Sequence, residues 1–395
     1  MNFLAVTWNI KSGANSVTWS FKLFQIKGID VKIHLTFVLI LLWVAYDWGT
    51  SGGAGIRGAA FGLVATILLF ACITLHEIAH SLVALRFGIR VHDILLLPIG
   101  GVSQIEDMPD KPSQELAIAV AGPVVSFAIA AVLFGVLYLA GRPSSISLDL
   151  AQFSISPSWT GMLTYLAAAN LLLGLFNILP AFPMDGGRIL RALLAMRLDY
   201  AKATTIAASI GQALAVAFGL LGFISGYYLL IFVAIFVWLG AGQEGGQVQV
   251  RGILRDVIVE QAMTRGPLSL LVDDTLSRAI DLTLNSEQAD FPVVDVDNGR
   301  VVGMLTRDDI LRGVRTRGEA ATIADTMRTT FPTAKPDESL YALQRRVLDE
   351  GGQALPVLDA SGRLVGLLTA MDINEAFWLL SARNEAKRTP TSTAP

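Results

Sequence analysis

The chain has 395 residues, of which 53% are hydrophobic and only 16% are charged, and its formal net charge is −3. Soluble domains carry about 25% charged residues, so this composition excludes a chain that is soluble throughout and a disordered chain. The balanced charge gives no reason to expect nucleic acid as a partner. A single cysteine, Cys72, excludes a disulfide framework and a multi-cysteine metal cluster.

Long stretches without charged residues predict where the chain crosses a membrane. These stretches are residues 58–75, 116–141, 150–184 and 203–243. A spanning helix needs about 20 apolar residues, and the last stretch would be about 60 Å long as one helix, so we expect a break at the glycines of residues 222–226. With a shorter apolar stretch near the N-terminus, the pattern predicts six spans, near residues 33–50, 58–86, 115–140, 160–180, 203–222 and 226–241.

Basic residues predict the orientation of these spans. They cluster before the first span, after the fourth and after the sixth, at Lys11, Lys22, Lys27, Lys32, Arg188, Arg191, Arg197, Lys202, Arg251 and Arg255. Basic residues favour the cytoplasmic side of a membrane. We therefore expect a multi-pass protein of the cell membrane, surrounded by lipid, with both termini in the cytoplasm.

The second predicted span contains the sequence Leu75-His-Glu-Ile-Ala-His80. Positions i and i+4 of a helix lie on one face, so His76 and His80 can share a metal ion. Glu77 can then act as a general base on water bound to that metal. Ionisable groups inside a membrane are costly and usually mark a functional site, which favours this interpretation over a polar patch between helices.

A catalytic zinc ion usually has three protein ligands, so a further ligand is expected. Between residues 116 and 198 the only acidic residues are Asp149, in a predicted external loop, and Asp185, at the cytoplasmic end of the fourth span. Pro180 and Pro183 should end the helix there and let Asp185 turn inward. The alternative for Asp185 is a simple helix-terminating turn, and Cys72 is interpreted as a packing residue.

After residue 243 the composition becomes that of a soluble α/β domain that repeats once. Residues 291–295 recur as 355–359, and residues 301–310 recur as 364–373. A repeat of about 63 residues predicts two small domains in tandem. The predicted divisions are an N-terminal cytoplasmic segment (residues 1–32), a six-span membrane domain (residues 33–242) and two repeat domains (residues 253–316 and 321–383). A disordered tail (residues 384–395) is predicted to follow.

The membrane part resembles the site-2 protease family of intramembrane zinc metalloproteases. The motifs that carry this resemblance are His76-Glu-Ile-Ala-His80, Leu97-Pro-Ile-Gly-Gly101, Asn177-x-x-Pro180 and Met184-Asp-Gly186. The resemblance implies one zinc ion held by the two histidines and Asp185, with Glu77 activating water and Asn177 binding the scissile peptide. It also implies a membrane-associated β-hairpin at residues 90–105 that pairs with the substrate; an ordinary loop is the alternative.

The repeat resembles a pair of CBS domains. In that family the threonine and aspartate of a Thr-x-x-Asp turn bind adenine nucleotides (ATP, ADP or AMP), which implies nucleotide-binding roles for Thr306, Asp309, Thr369 and Asp372. The alternative is that these residues only cap the helices that follow them. The first copy has Arg307 and Asp308 where the second has alanine and methionine, so we expect unequal clefts with the stronger one in the first copy.

The sequence therefore predicts a multi-pass α-helical membrane protein with a short membrane-associated β-hairpin and a soluble α/β tandem CBS module. The predicted function is zinc-dependent intramembrane proteolysis of a transmembrane protein or peptide by a Glu-activated, zinc-bound water, regulated by adenine nucleotide, with a possible homodimer through the CBS domains. The alternatives are a CBS-regulated channel or transporter and a non-catalytic nucleotide-sensing scaffold. A transporter should show paired broken helices or membrane repeats, and the sequence has neither.

Overall fold

The computed structural model of the protein describes residues 19–50, 55–98, 100–105, 111–141, 158–349 and 354–388. Internal contacts divide the described residues into two compact units that meet at residues 248 and 249. We call the described residues from Trp19 to Val248 the membrane unit and those from Gln249 onward the repeat unit.

Helices dominate the membrane unit. They are α1 (Phe37–Thr50), α2 (Gly55–Arg86), α3 (Pro112–Leu139), α4 (Trp159–Ile178), α5 (Asp185–Ala195), α6 (Tyr200–Ser225) and α7 (Tyr228–Leu254). Within the described residues, five of these, α2, α3, α4, α6 and α7, are long and apolar enough to cross a membrane. The chain is therefore a multi-pass membrane protein.

The first of the six predicted spans, residues 33–50, is not confirmed. Its helix α1 has 14 residues, which gives a length of about 21 Å against a hydrocarbon thickness of about 30 Å. The beginning of the predicted span belongs to a strand instead, because Ile29–His34 alternates apolar and polar residues with the period of two that a half-buried strand requires.

Two helix boundaries follow from identifiable residues. α6 ends where Gly226 adopts a left-handed conformation with φ of 72°, which is favourable for glycine because it has no Cβ. This confirms the predicted break within residues 222–226. The last span was predicted near residues 226–241, and its helix is longer than that span: α7 continues to Leu254, whose side chain is fully buried in the core of the repeat unit.

Helix α5 was not predicted, because its residues were assigned to a basic cytoplasmic loop. Its sequence is amphipathic, and it buries Arg191 and Ala192 on one side while Leu193 is half exposed. The expected break before it is present: α4 ends at Ile178 and α5 starts at Asp185. Proline at positions 180 and 183 cannot supply the amide donors that a continuing helix would need.

A four-stranded sheet lies beside these helices in the order β1-β2-β3-β4. Its strands are β1 (Ser20–Ile26), β2 (Ile29–His34), β3 (Val91–Leu97) and β4 (Gly100–Ile105). β2 and β3 are parallel, and the other neighbours are antiparallel. β3 and β4 occupy the residues of the predicted hairpin, whose association with the membrane stays a prediction. β1 and residues 29–32 of β2 lie in the segment predicted as a cytoplasmic N-terminal segment, for which no strands were predicted.

The repeat unit has two three-stranded sheets, in the orders β6-β7-β8 and β5-β10-β9. The strands are β5 (Thr264–Arg265), β6 (Leu270–Leu271), β7 (Phe291–Val294), β8 (Val301–Leu305), β9 (Leu355–Leu358) and β10 (Leu364–Leu368). The helices are α8 (Leu276–Asn285), α9 (Arg307–Arg317), α10 (Leu340–Asp349) and α11 (Ala370–Arg388).

The two copies of the repeat exchange their first strands. β5 belongs to the first copy but pairs with β10 of the second, with Thr264 opposite Leu367. Reciprocally, Arg328 at the start of the second copy bridges Met304 of the first. The copies are therefore interleaved. α11 extends to Arg388, into the tail predicted to be disordered from residue 384, and residues 389–395 lie outside the described part of the chain.

Candidate functional site

The two histidines of the second predicted span lie on one buried face of α2. His76 is 3% exposed and His80 is 6% exposed. Their Nε2 atoms are 3.1 Å apart, because residues four apart in a helix lie one above the other. The helix therefore presents two imidazole nitrogens to one point.

Asp185, the first residue of α5, reaches the same point. Its Oδ2 lies 3.2 Å from Nε2 of His76 and 3.2 Å from Nε2 of His80. Gly186 allows this approach, because a Cβ there would overlap the carbonyl oxygens at the end of α4. The structure thus brings together the three residues that the sequence suggested as metal ligands.

Helix α3 holds both imidazole rings from the opposite side. Nδ1 of His80 lies 2.7 Å from the carbonyl oxygen of Ile118, and Nδ1 of His76 lies 2.9 Å from the hydroxyl of Ser126. A carbonyl oxygen only accepts hydrogen bonds, so Nδ1 of His80 carries the proton and its Nε2 presents a lone pair. Gly122 lies between these two contacts and lets α3 approach the Nε2 atoms closely.

The arrangement fits a zinc ion. Two imidazole nitrogens and one carboxylate oxygen, separated by 3.1 to 3.2 Å, direct lone pairs to one point and repel one another unless a cation or a proton lies among them. Zinc–ligand bonds of about 2.0 Å in a tetrahedron place the ligand atoms about 3.3 Å apart. The chemistry and the spacing of the donor set therefore both suit zinc, which would keep a fourth position for water or substrate.

Glu77 lies beside this cluster and contributes no atom to it. Its Oε2 accepts a hydrogen bond of 2.5 Å from the hydroxyl of Ser103 on β4. Gly101 on the same strand faces it, and a Cβ on Gly101 would come within 2.7 Å of Cγ of Glu77. The edge strand β4 therefore lies directly against the predicted general base.

Asn177 is not brought into contact with the cluster. It lies in the last turn of α4, half buried, and its Nδ2 donates a hydrogen bond of 2.9 Å to the carbonyl oxygen of Leu173. Cys72 is half buried and is not part of the cluster. Asp149, the other acidic candidate, lies outside the described residues.

In the repeat unit, both Thr-x-x-Asp turns start a helix. Thr306 and Asp309 form a reciprocal capping box at the start of α9, and the hydroxyl of Thr306 donates to Asp309 at 2.6 Å. Thr369 and Asp372 repeat this contact at 2.7 Å at the start of α11. The helix-capping role is thus present in both copies.

The two aspartates have different neighbours because of the strand exchange. Arg328 forms an ion pair of 2.8 Å with Asp309, whereas the corresponding position of the other copy is Thr264, whose hydroxyl donates to Asp372 at 3.0 Å. Burial raises the pKa of Asp309, but the hydrogen bonds from Thr306 and the contact with Arg328 outweigh burial and hold that pKa below its usual range. Asp309 is buried, while Asp372 is half buried.

Sequence reasoning missed the residues of α3 and β4 that surround the cluster. Ile118 contributes a main-chain carbonyl, which no side-chain pattern could reveal. Gly122 and Ser126 continue the same face at intervals of four residues, and that spacing of small residues was the available signal. Ser103 and Gly101 were noticed only as part of the predicted hairpin.

Comparison with known proteins agrees with a zinc site of a protease in the membrane unit. The model of Peptidase family M50 matches residues 64–218, and the CBS domain model matches residues 255–316 and 323–379. Zinc metalloprotease MJ0392 of Methanocaldococcus jannaschii is 34% identical over 372 residues, which are 94% of this chain and 100% of that protein. Putative zinc metalloprotease Rip3 of Mycobacterium tuberculosis is 30% identical over 391 residues, which are 93% of this chain and 95% of that protein.

Among solved structures, the site-2 protease from Methanocaldococcus jannaschii is 41% identical and covers 57% of this chain and 95% of that chain, with a TM-score of 0.42. The family resemblance predicted from the motifs is confirmed by the full-length relatives. They favour an enzyme over the channel, the transporter and the scaffold considered above. This chain therefore belongs to the site-2 proteases, Peptidase family M50, and is a membrane zinc metalloendopeptidase with a C-terminal pair of CBS domains.

Proposed function

We propose that this chain hydrolyses a peptide bond of a transmembrane substrate within the bilayer, with zinc held by His76, His80 and Asp185. The observation that carries the proposal is the convergence of three lone-pair atoms at 3.1 to 3.2 Å in a buried position. It is supported by the location of both histidines on α2, a 32-residue apolar helix.

In this proposal zinc, when bound, polarises the scissile carbonyl and lowers the pKa of water. The carboxylate of Glu77 accepts a proton from the attacking water, whose oxygen bonds to the carbonyl carbon. The carbon–nitrogen bond then breaks, and Glu77 returns the proton to the leaving amine nitrogen. The side-chain amide of Asn177 has two N–H donors. One binds the carbonyl oxygen of Leu173, and the other can orient the substrate.

Two features of the membrane unit support a membrane-spanning substrate. β4 is an edge strand, so its outer main-chain groups can pair with an unwound substrate backbone. A groove of about 530 Å³ between α2 and α4 is apolar, and one of its lining residues, Ile73, lies one turn before Glu77. The lining residues are Leu69, Ile73, Ala169, Leu172, Leu173, Leu175, Phe176 and Leu179.

We further propose that the protein lies in the cell membrane with both termini and the CBS domains in the cytoplasm, which requires α1 to cross the membrane together with the five longer helices. The support is the predicted distribution of basic residues around the spans. A homodimer through the CBS domains stays a prediction, which the molar mass of the detergent-solubilised protein can test.

Replacing Asp185 by alanine is expected to lower zinc affinity severely, because two histidines alone do not complete a catalytic zinc site. Zinc per chain, measured by elemental analysis of the purified full-length protein, should fall from about one towards zero. Asp199→Ala is the matched control, since Asp199 only caps α6 and its loss should leave zinc content unchanged. Wild-type zinc affinity in the Asp185 variant would show that another group completes the site.

We propose that the CBS pair binds an adenine nucleotide and changes the proteolytic rate. A phosphate suits the helix N-termini at Thr306 and Thr369, and a carboxylate suits the paired hydroxyls of a ribose. The contacts favour the cleft of Asp372, because the carboxylate of Asp309 is already paired with Arg328. This order of the two nucleotide affinities is the reverse of the one predicted from Arg307 and Asp308, which favoured the cleft of the first copy.

Asp372→Ala is therefore expected to weaken nucleotide binding by the full-length protein by about tenfold or more, because it removes a charged hydrogen-bond acceptor. Asp309→Ala should weaken it less. Calorimetry with AMP, ADP and ATP measures both. The absence of binding by the wild-type protein at millimolar concentration would contradict nucleotide regulation.

A truncated protein tests whether any nucleotide effect depends on the CBS pair. The truncation should end at residue 248 rather than 242, because α7 continues past that point and Glu244 pairs with Arg191. Nucleotide should change the proteolytic rate of the full chain and have no effect on the truncated chain. An equal response of the two would place the nucleotide site in the membrane unit.

A further inference from the structure

Arg191 on α5 is the largest fully buried side chain among the described residues, at 1% exposure. Its guanidinium donates to Oε1 of Glu115 on α3 through Nε at 2.7 Å and is paired with the same oxygen through Nη2 at 2.5 Å. Glu115 is itself 1% exposed, and Glu244 on α7 binds the third guanidinium nitrogen. One cation therefore joins three helices.

Two aromatic rings complete the surroundings of this guanidinium. Its carbon lies 5.0 Å from the ring centre of Phe182 and 5.1 Å from that of Tyr200, within the range of cation–π attraction. Phe182 is fully buried in the segment that joins α4 to α5, and Tyr200 begins α6. The planar group is thus fixed in its orientation as well as its position.

Both helices that meet at the Arg191–Glu115 pair also reach the metal cluster. Arg191 lies six residues after Asp185 in α5, and Phe182 lies three residues before Asp185. Glu115 lies one turn before Ile118 in α3, whose carbonyl oxygen accepts from His80. The pair therefore connects the helix that carries the carboxylate ligand to the helix that orients an imidazole ligand.

We propose that Arg191 is a positioning residue that fixes Asp185 at its distance from the two histidines by fastening α5 to α3. The proposal rests on the proposed zinc site. A weaker interpretation is that Arg191 only neutralises a buried carboxylate, since removing one partner of a buried ion pair is strongly destabilising. The two interpretations differ in what happens when both partners are removed together.

The test uses full-length protein with Arg191→Met, Arg191→Lys and the double substitution Arg191→Met with Glu115→Leu. The double variant removes both members of the fully buried pair and leaves only Glu244, which is partly exposed, without its partner, so its thermal midpoint should be closer to that of the wild type than the midpoint of Arg191→Met. Its zinc affinity, measured by competition with a chromogenic chelator, should still be about 10- to 100-fold lower, as for residues that orient metal ligands. Arg191→Lys should also lose affinity, because an ammonium cannot reproduce the planar contacts.

The visible spectrum of the Co²⁺-substituted protein gives a second readout, because its bands depend on ligand geometry. We expect an altered spectrum in the double variant and an unaltered one in Arg197→Met, which removes an exposed arginine just beyond α5. Wild-type zinc affinity and spectrum in the double variant would overturn the positioning role. Failure of the wild-type protein to bind zinc would instead overturn the proposed metal site.

Discussion

Replacing Glu77 by alanine is expected to abolish proteolysis while leaving about one zinc ion per chain. Loss of a general base costs about 10²- to 10⁴-fold in rate, and Glu77 contributes no atom to the ligand cluster. Its carboxylate is held by Ser103 rather than by a histidine. Zinc binding should therefore be independent of this side chain.

Two measurements on the same preparations check this expectation. Elemental analysis gives zinc per chain, and a comparison of the membrane proteomes of cells with wild-type and Glu77→Ala protein reports cleavage and identifies candidate substrates. Glu319→Ala is a matched control, since Glu319 is an exposed glutamate of the repeat unit. If zinc disappeared together with activity in the Glu77 variant, Glu77 would be a ligand and the assigned roles would be wrong.

The three ligands could be predicted from the sequence for two reasons, the helical repeat and the scarcity of acidic residues. The helical repeat places His76 and His80 on one face whatever surrounds them. Acidic residues are so scarce between residues 116 and 198 that Asp185 was almost the only candidate on another segment. The structure adds the distances, which depend on the turn into α5.

Most of the residues that surround the ligands could not be predicted from the sequence, because they act through main-chain groups or through pairs that are distant in sequence. Ile118 acts through its main-chain carbonyl oxygen, and the identity of its side chain does not indicate that role. Arg191 and Glu115 are 76 residues apart in sequence; Arg191 was interpreted only as one of the basic residues after the fourth span, and Glu115 was given no role. Only the packing of α5 against α3 makes them partners.

In the repeat unit, too, contacts between distant segments could not be predicted from the sequence. The internal repeat predicted two similar folding units, and the shared motifs made the two Thr-x-x-Asp turns look equivalent. The exchange of first strands then gives Asp309 the arginine of the other copy, while Asp372 receives a threonine. Pairing between distant segments decides this asymmetry, and a comparison of corresponding positions within the turns could not predict it.

Replacing Gly122 by alanine is expected to lower zinc affinity by about 100-fold or more, since the change intrudes on the ligands themselves. A Cβ at this position would lie 2.5 Å from Nε2 of His76 and closer still to Nε2 of His80. The rings cannot withdraw freely, because their Nδ1 atoms contact Ser126 and Ile118 of the same helix α3. Alanine is the better helix former by about 1 kcal/mol, so impaired helix formation cannot explain a loss of zinc.

Gly135 provides the control for this prediction within the same helix. A Cβ there would meet no atom within 4 Å, so Gly135→Ala should keep wild-type zinc affinity and Co²⁺ spectrum. Competition with a chromogenic chelator, applied to both variants and the wild type, measures the difference. If Gly122→Ala bound zinc as tightly as the wild type did, α3 could not lie against the Nε2 atoms, and the contacts of both histidines with α3 would have to be abandoned.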